Sequence, residues 1–450
     1  MASYPGVENV RADALKEIRL LETSFNRVNE RRFKIERIIG EGTGGFALKM
    51  AMINDPSPVP RPVQRFVIKR AYNKQQADKL QEEIQIVQKF RGNMHVAQLI
   101  VLPGESTDGI SYLNGPTLMT DWIGNGTVKD LIAKRSDWRQ PLPNRVLWRL
   151  FLCLCRMLIA MAWPSNGPPG APREVELLSS PDPNGNRPTK SGLVHGDLNI
   201  QNILVGNLDQ REHSLVNTLM LIDFGNARTL DVDQAEEAVK SNMANMGEIM
   251  FQLIGGGFIR KSQSSNMKVT VGGQDKIIRS WARDLDGLSP TYEVPADTMA
   301  LHRDSMENLD PDLKSLVVQC LAVAPVNRPD LETLVEEVER NVDSKTATSY
   351  ASYKYKNNET DNAAIYEQVE RNVDADAARS NRRLPALDAA PPAPGNVPGV
   401  LTESFSTLVL LTFDIGAASQ NTECNQGIRD RSTSQCLPRQ PAGSDVAAGG

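Results

Sequence analysis

Asp197, Asn199, Asn202 and Asp223 stand in an order that suits chemistry on a phosphate beside a hard cation. His195-Gly196-Asp197-Leu198-Asn199-Ile200-Gln201-Asn202 runs into the apolar Ile203-Leu204-Val205, and 21 residues beyond Asn202 the run Leu219 to Ile222 ends in Asp223-Phe224-Gly225. An Asp followed five residues later by an Asn, beside a run fit for a strand, places a carboxylate where it can take a proton from a hydroxyl. The amide oxygen of Asn202 and the carboxylate of Asp223 then supply hard donors for Mg²⁺, which binds through few protein oxygens and completes its shell with phosphate.

Such a centre needs elements that hold a polyphosphate against it, and three lie upstream in a consistent order. Ile38-Ile39-Gly40-Glu41-Gly42-Thr43-Gly44-Gly45-Phe46-Ala47 reads as strand, glycine-rich turn, strand, with a backbone bare enough to close over phosphate oxygens. Phe66-Val67-Ile68-Lys69 is a strand ending in a cation, 29 residues past Gly40, and Pro56, Pro58, Pro60 and Pro62 mark the intervening length as a loop. Glu83 falls in a helical pattern whose apolar stripe is Leu80, Ile84, Val87 and Phe90; Glu82 is the competing carboxylate, one position off the favoured register.

Together these motifs resemble the protein-kinase superfamily, in a divergent form whose catalytic loop reads His-Gly-Asp. The resemblance covers about residues 35 to 343. It implies an α+β, bilobal protein-kinase-like fold, with a small β-rich N-lobe carrying one main helix and a larger, mainly α-helical C-lobe. It further implies that Asp197 accepts the substrate proton, that Lys69 and Glu83 position the phosphates, and that Asn202 and Asp223 hold Mg²⁺. Gly40, Gly42 and Gly45 would cap the phosphates of ATP, and Ala47 and Val67 would sandwich its adenine, with the two sizes exchanged relative to the family. Leu118-Met119-Thr120-Asp121-Trp122 resembles the last N-lobe strand and hinge, placing Thr120 beside the adenine pocket and Asp121 at the opening of the hinge.

Departures from the family pattern bear on activity. Gly196 stands where most members carry an Arg that receives an activation-loop phosphate, so one electrostatic switch is missing. Asn199 replaces the Lys that steadies the γ-phosphate, and an amide cannot supply that charge. Only 19 residues separate Asp223 from Asn242, itself a replacement for the Asp that usually anchors the catalytic loop. The Ala-Pro-Glu landmark is reduced to Ala235-Glu236-Glu237, with Glu237 the available partner for Arg328 in Ala324-Pro325-Val326-Asn327-Arg328-Pro329. The expected function is therefore an ATP- and Mg²⁺-dependent protein kinase, Ser/Thr-directed rather than Tyr-directed. Its alternatives are a small-molecule kinase of the aminoglycoside or choline type, and a pseudokinase scaffold.

Composition bounds the rest. In 450 residues, 40% hydrophobic with net charge −5 and both signs interspersed, nothing favours nucleic acid or an anionic membrane as partner. No apolar run is long enough to span a bilayer and Met1 to Val10 lacks a signal pattern, so the expected location is cytoplasmic, a nuclear one not being excluded. The Cys residues show no metal spacing, and Cys153, Cys155 and Cys320 fall in expected core helices; His95, His195, His213 and His302 are scattered.

The expected organisation is an amphipathic lead helix in residues 1–34 (Ala14, Ile18, Leu21, Phe25 and Val28 at helical spacing), N-lobe and hinge in 35–124, C-lobe in 125–343, and a disordered tail in 344–450. Residues 164–190, rich in Pro, Gly and Asn, read as a mobile insertion. The lead helix either packs on the N-lobe or meets a partner, and the tail is the other candidate partner segment. VERNVD occurs at Val338–Asp343 and Val369–Asp374, with Tyr350, Tyr353, Tyr355 and Tyr366 between or near the copies.

Overall fold

Alternation along the strands builds the first lobe. The computed structural model describes residues 11–27, 33–42, 44–53, 64–100, 113, 115–138, 141–209, 211–255, 257, 259, 261–286 and 304–360. Strands β1 (Phe33–Glu41), β2 (Gly45–Met52), β3 (Gln64–Ala71) and β4 (Leu118–Asp121) pair in chain order as an antiparallel sheet. On β3, Phe66 and Ile68 are buried on one face, whereas Val67 and Lys69 point to the other, as the two-residue period requires. The first face is covered by helix α1 (Ala12–Arg27), whose Ala14, Ile18 and Leu21 pack with Phe33, Phe46, Leu48, Met50, Phe66 and Ile68. The lead helix is thus part of this lobe's core, and strand structure begins at Phe33, before the expected boundary at residue 35. The side chains of Phe25 and Val28, and the proline loop between β2 and β3, lie outside the described residues.

Helix α2 (Lys74–Gln88) follows β3, its N-terminus closed by Asn73, whose side chain accepts from Gln76 N–H at 3.0 Å. Leu80, Glu83 and Val87 are buried along one stripe. Glu82 faces solvent, which decides between the two carboxylates in favour of Glu83.

The second lobe is mainly helical. Helix α3 (Val128–Trp138) precedes α4 (Asn144–Ala162), which is apolar almost all round and buried on nearly every side, as such a helix must be. Around α4 pack α5 (Ala235–Ile254), α6 (Pro311–Cys320) and α7 (Leu331–Ser344). Short ribbons carry the loops between them: β5 (Leu193–Val194) pairs with β8 (Arg228–Thr229), and β6 (Ile203–Val205) with β7 (Leu219–Leu221). A hairpin of β9 (Ser265–Val271) and β10 (Gln274–Ser280), joined at Gly272-Gly273, seals one end through Met267, Val269 and Ile278. Among the described residues no helix is long and apolar enough to cross a membrane.

Several sequence expectations are corrected here. Helix α5 begins at Ala235, so Ala235-Glu236-Glu237 is no free landmark but its first turn. Arg328 does not meet Glu237; its guanidinium donates to the carbonyls of Ala322 (3.0 Å) and Lys240 (2.8 Å). Residues 164–190 are fastened down, with Glu174 N–H donating to Gly92 O (2.8 Å), Trp163 Nε1–H to Pro188 O (2.8 Å), and Glu176 buried. The C-lobe also continues past residue 343. Tyr350 is buried and donates to Asp310 (2.7 Å), while the buried Glu359 accepts from Asn144 N–H (2.5 Å) at the start of α4. Tyr350 is thereby excluded as an accessible modification site in this fold. Tyr366 and the second VERNVD copy lie outside the described residues.

Candidate functional site

Lys69 is where the two lobes meet chemically. Its ammonium lies 2.9 Å from each carboxylate oxygen of Glu83 on α2 and 2.8 Å from Asp223 Oδ1 in the loop after β7. Burial works against a charged Lys, yet Glu83 and Asp223 overcome it and hold the ammonium above its ordinary range. Burial raises the carboxyl of Glu83, opposed by Lys69. For Asp223 the order reverses: burial would raise it, but Lys69 and the Gly225 N–H leave it below the usual carboxylate range, hence ionised at neutral pH. Asp223 adopts φ +63°, a conformation costly for a side-chain-bearing residue and one that clusters at functional loops. Phe224 anchors the loop, its ring 4.8 Å from Phe90 at the end of α2 and 4.8 Å from His195.

The loop after β5 supplies the second carboxylate. Asp197 N–H donates to His195 Nδ1 (3.2 Å), which leaves Nε2 to carry the proton and donate to Ile222 O (3.1 Å). Burial lowers the pKa of that ring, so it is neutral and ties the Asp197 loop to the Asp223 loop. Both oxygens of Asp197 are held by amides: Asn199 Nδ2–H donates to Oδ1 (2.8 Å) and Asn202 Nδ2–H to Oδ2 (2.9 Å). Asn202 is buried, and its carbonyl accepts from Ile222 N–H (3.0 Å), so it stands beside the strand that delivers Asp223.

Two sequence departures acquire physical reasons. Gly196 has φ +79°, and a Cβ there would collide with the carbonyl of Asn226, so an Arg side chain is sterically excluded. Asn242 accepts from His195 N–H (3.1 Å) and donates to Leu193 O (2.7 Å); an ionised Asp could do only the first.

On the sheet, Ala47 is paired with Lys69 and Val67 with Thr120, so Ala47, Val67 and Lys69 share the face that continues toward the cleft. Gly40 pairs with Ala47, and Gly42 N–H donates to Gly45 O (2.9 Å), forming the turn above that face. A Cβ on Gly45 would strike the Arg70 carbonyl, which explains the glycine by strand proximity. The carboxylate of Asp121 is turned away to Gln98 N–H (3.2 Å) and the Arg173 guanidinium, where it lines a separate cavity of about 230 Å³ with Gln98, Arg91 and Ala171.

One cluster had no signal in the sequence. His95 (loop after α2), Cys153 (α4) and His213 (before β7) meet in the interior with Glu176, although 118 residues separate the two His. Cys153 also differs from the other described thiols. Burial pushes Cys155 well up and Cys320 to about 12, whereas His213 and His95 reverse the effect of burial on Cys153 and bring it to about 6. Neither a search of protein-family models nor one of curated proteins finds a match to this chain.

Proposed function

We propose that the chain is an ATP- and Mg²⁺-dependent phosphotransferase of the protein-kinase type, acting on a protein hydroxyl. The observation that carries this reading is the ammonium of Lys69 shared by Glu83 and Asp223, with Asp197 oriented by Asn202 on the neighbouring loop. The donor set fits the cofactors: an ionised carboxylate and an amide oxygen are hard ligands suited to Mg²⁺, and a fixed ammonium suits phosphate. ATP supplies the phosphoryl group and Mg²⁺ offsets its charge when bound.

The chain's own residues then divide the work. Glu83 holds Lys69 at the height of the α- and β-phosphates. Asp223 and Asn202 would hold the cation, and Gly40, Gly42 and Gly45 would cap the phosphates. Asp197 takes the proton of the acceptor hydroxyl as its oxygen bonds to the γ-phosphorus and the bond to ADP breaks. Asn199 orients Asp197 and brings no positive charge to the γ-phosphate, which predicts slow transfer. A small-molecule acceptor is the second reading, favoured by the shortness of the segment between Asp223 and α5. Residues 224–234 hold little beyond β8 and a single 3₁₀ turn, a meagre ledge for docking a peptide.

Thermal unfolding of the full chain with ATP alone and with ATP plus MgCl₂, in wild type and Asp223→Asn, tests the proposal. A Mg²⁺-dependent rise that the variant lacks supports it, and phosphate transfer to peptide or to small alcohols then separates the two acceptors. No shift in any condition would reject nucleotide chemistry in favour of a scaffold.

A further inference from the structure

The interior cluster at His95 is built from side chains that seldom meet without a ligand between them. His95 Nε2 lies 2.9 Å from His213 Nε2, and His213 Nδ1 lies 3.5 Å from Cys153 Sγ. All three residues are buried, and one donor atom from each falls within 4.8 Å of the others. Glu176 grips His95 twice, accepting from its backbone N–H (2.9 Å) and from its Nδ1–H (2.5 Å). That second contact commits Nδ1–H to the carboxylate and leaves Nε2, aimed at His213 and Cys153, as the nitrogen that can take a metal in exchange for its proton. A carboxylate behind the far nitrogen is the usual support of a metal-bound imidazole.

We infer that His95 Nε2, Cys153 Sγ and a ring nitrogen of His213 form a buried three-donor site for a borderline transition metal of the Zn²⁺ class, with Glu176 orienting His95. The donor types decide the metal: two imidazoles and a thiolate select Zn²⁺ or Co²⁺ and disfavour Mg²⁺ and Ca²⁺. Zn–N near 2.0 Å and Zn–S near 2.3 Å at tetrahedral angles put neighbouring N and S donors about 3.6 Å apart. The Cys153–His213 separation of 3.5 Å already meets this. His213 lends the metal one nitrogen only; with Nδ1 as that ligand, the 2.9 Å contact between its Nε2 and His95 Nε2 is given up as the ring turns. Charge points the same way: a thiolate and the Glu176 carboxylate together balance a divalent cation in a sealed interior. Glu212 is the other acid nearby, 3.6 Å from His213, but it is engaged by Arg156.

The site's position gives it a role. His95 pairs through its backbone with β7, accepting from Leu221 N–H (2.9 Å), two residues before Asp223. Cys153 belongs to the central helix α4, and Glu176 to the segment between α4 and β5. A metal here staples α4, the loop after α2 and the approach to β7 behind the cleft.

The test uses the full chain, stripped with chelator and titrated with ZnCl₂ or CoCl₂. The expected result is one tightly bound metal per chain and a higher unfolding midpoint with Zn²⁺. With Co²⁺, d–d absorption and a thiolate-to-cobalt charge-transfer band are expected. Cys153→Ser should abolish the charge-transfer band. Glu176→Gln, which leaves the ligands in place, should weaken affinity by about 10- to 100-fold. Asp223→Asn should leave the zinc stoichiometry and the cobalt bands as in wild type, which separates this site from the cleft. Absence of stoichiometric binding, or a charge-transfer band that survives in Cys153→Ser, overturns the inference and leaves a hydrogen-bonded chain from Cys153 through both imidazoles to Glu176.

Discussion

Two polar clusters converge on β7, and they are built to opposite specifications. At the cleft, Lys69 keeps 30% and Asp223 23% of its side chain exposed, so charges that satisfy each other remain able to receive a ligand. In the interior, His95, His213 and Glu176 are sealed and every polar atom named there is matched within the cluster. An open ion pair can be exchanged for the phosphate and cation of the proposed function. A sealed cluster can take a ligand only as the chain folds or opens, so its effect falls on stability. The comparison therefore predicts that substitutions at the cleft cost rate and substitutions at the interior cost folding free energy.

The largest effect should follow loss of the cleft carboxylates. On the proposed mechanism Asp197→Asn removes the proton acceptor and should lower the transfer rate by about 10²- to 10⁴-fold, and Asp223→Asn should abolish Mg²⁺-dependent nucleotide binding. Each unfolding midpoint should stay within a few degrees of wild type. Rate measured beside thermal unfolding separates the effects; a variant that unfolds early without losing rate per folded molecule breaks the contrast.

Next comes Glu176→Ala in the metal-free chain. It strips the partners of a buried backbone N–H and a buried imidazole, which costs about 3 kcal/mol when the other half of the pair stays buried. Urea unfolding measures this, and a loss well under 1 kcal/mol would show that water or a neighbour takes over the carboxylate's role. Gly196→Ala belongs in the same range despite lying in the cleft loop: its φ of +79° and the Asn226 carbonyl make any side chain cost roughly 2 kcal/mol. Gly196→Arg, which brings in the residue that most protein kinases carry in the loop this one resembles, should destabilise further and bring no gain in rate.

These clusters also differ in how far the sequence revealed them. Asp197, Asn202, Asp223, Lys69 and Glu83 were legible because each sits at a fixed offset from a strand or in a helical stripe, and because the order of motifs reinforces each of them. Even the choice of Glu83 over Glu82 followed from the register of Leu80 and Val87. His95, Cys153, His213 and Glu176 carry no such offset. They come from a loop, a core helix, a turn and an irregular insertion, and only the packing of α4 against β7 brings them together. The same reason hid the C-terminal extension of the second lobe: a sparse polar stretch reads as tail, yet single residues, Tyr350 and Glu359, dock into Asp310 and the first turn of α4. Gly196 and Asn242 were read as losses, whereas the backbone geometry makes each the residue its position needs.

The histidines sharpen the contrast through pH. His195 is buried and neutral, with its pKa lowered from 6.5 by burial, so below pH 6.5 the unfolded chain binds a proton that the folded chain refuses. Its contribution is complete above 6.5 and is lost as pH falls through the lower folded value, at no more than about 1.4 kcal/mol per pH unit. His195→Gln should flatten that decline in a urea series between pH 7 and 5. In the metal-free interior, His95 is raised to about 9, and its stabilisation fades as pH climbs from 6.5. Cys153, lowered from 9.0 to about 6, gains over nearly the same interval. The two nearly cancel because the proton merely moves from thiol to imidazole, each group holding the other's shift, so a urea series on the metal-free chain should show nearly flat stability between pH 6.5 and 9.

The smallest expected effect is also informative. Thr229 is exposed on β8, paired with Leu193 at the entry to the Asp197 loop, and is the only hydroxyl between Asp223 and Ser241. Phosphate there would need a cation placed to receive it, and the position that usually supplies one is Gly196, closed to side chains by the Asn226 carbonyl. The Asp197 loop is instead set by neutral contacts, from His195 to Ile222 and from Asn242 to Leu193, that exist without any modification. Thr229→Ala should therefore leave rate and midpoint at wild-type values, within about 0.5 kcal/mol for a surface change. A large loss of rate in that variant, restored by Thr229→Glu, would mean that the loop is charge-switched after all.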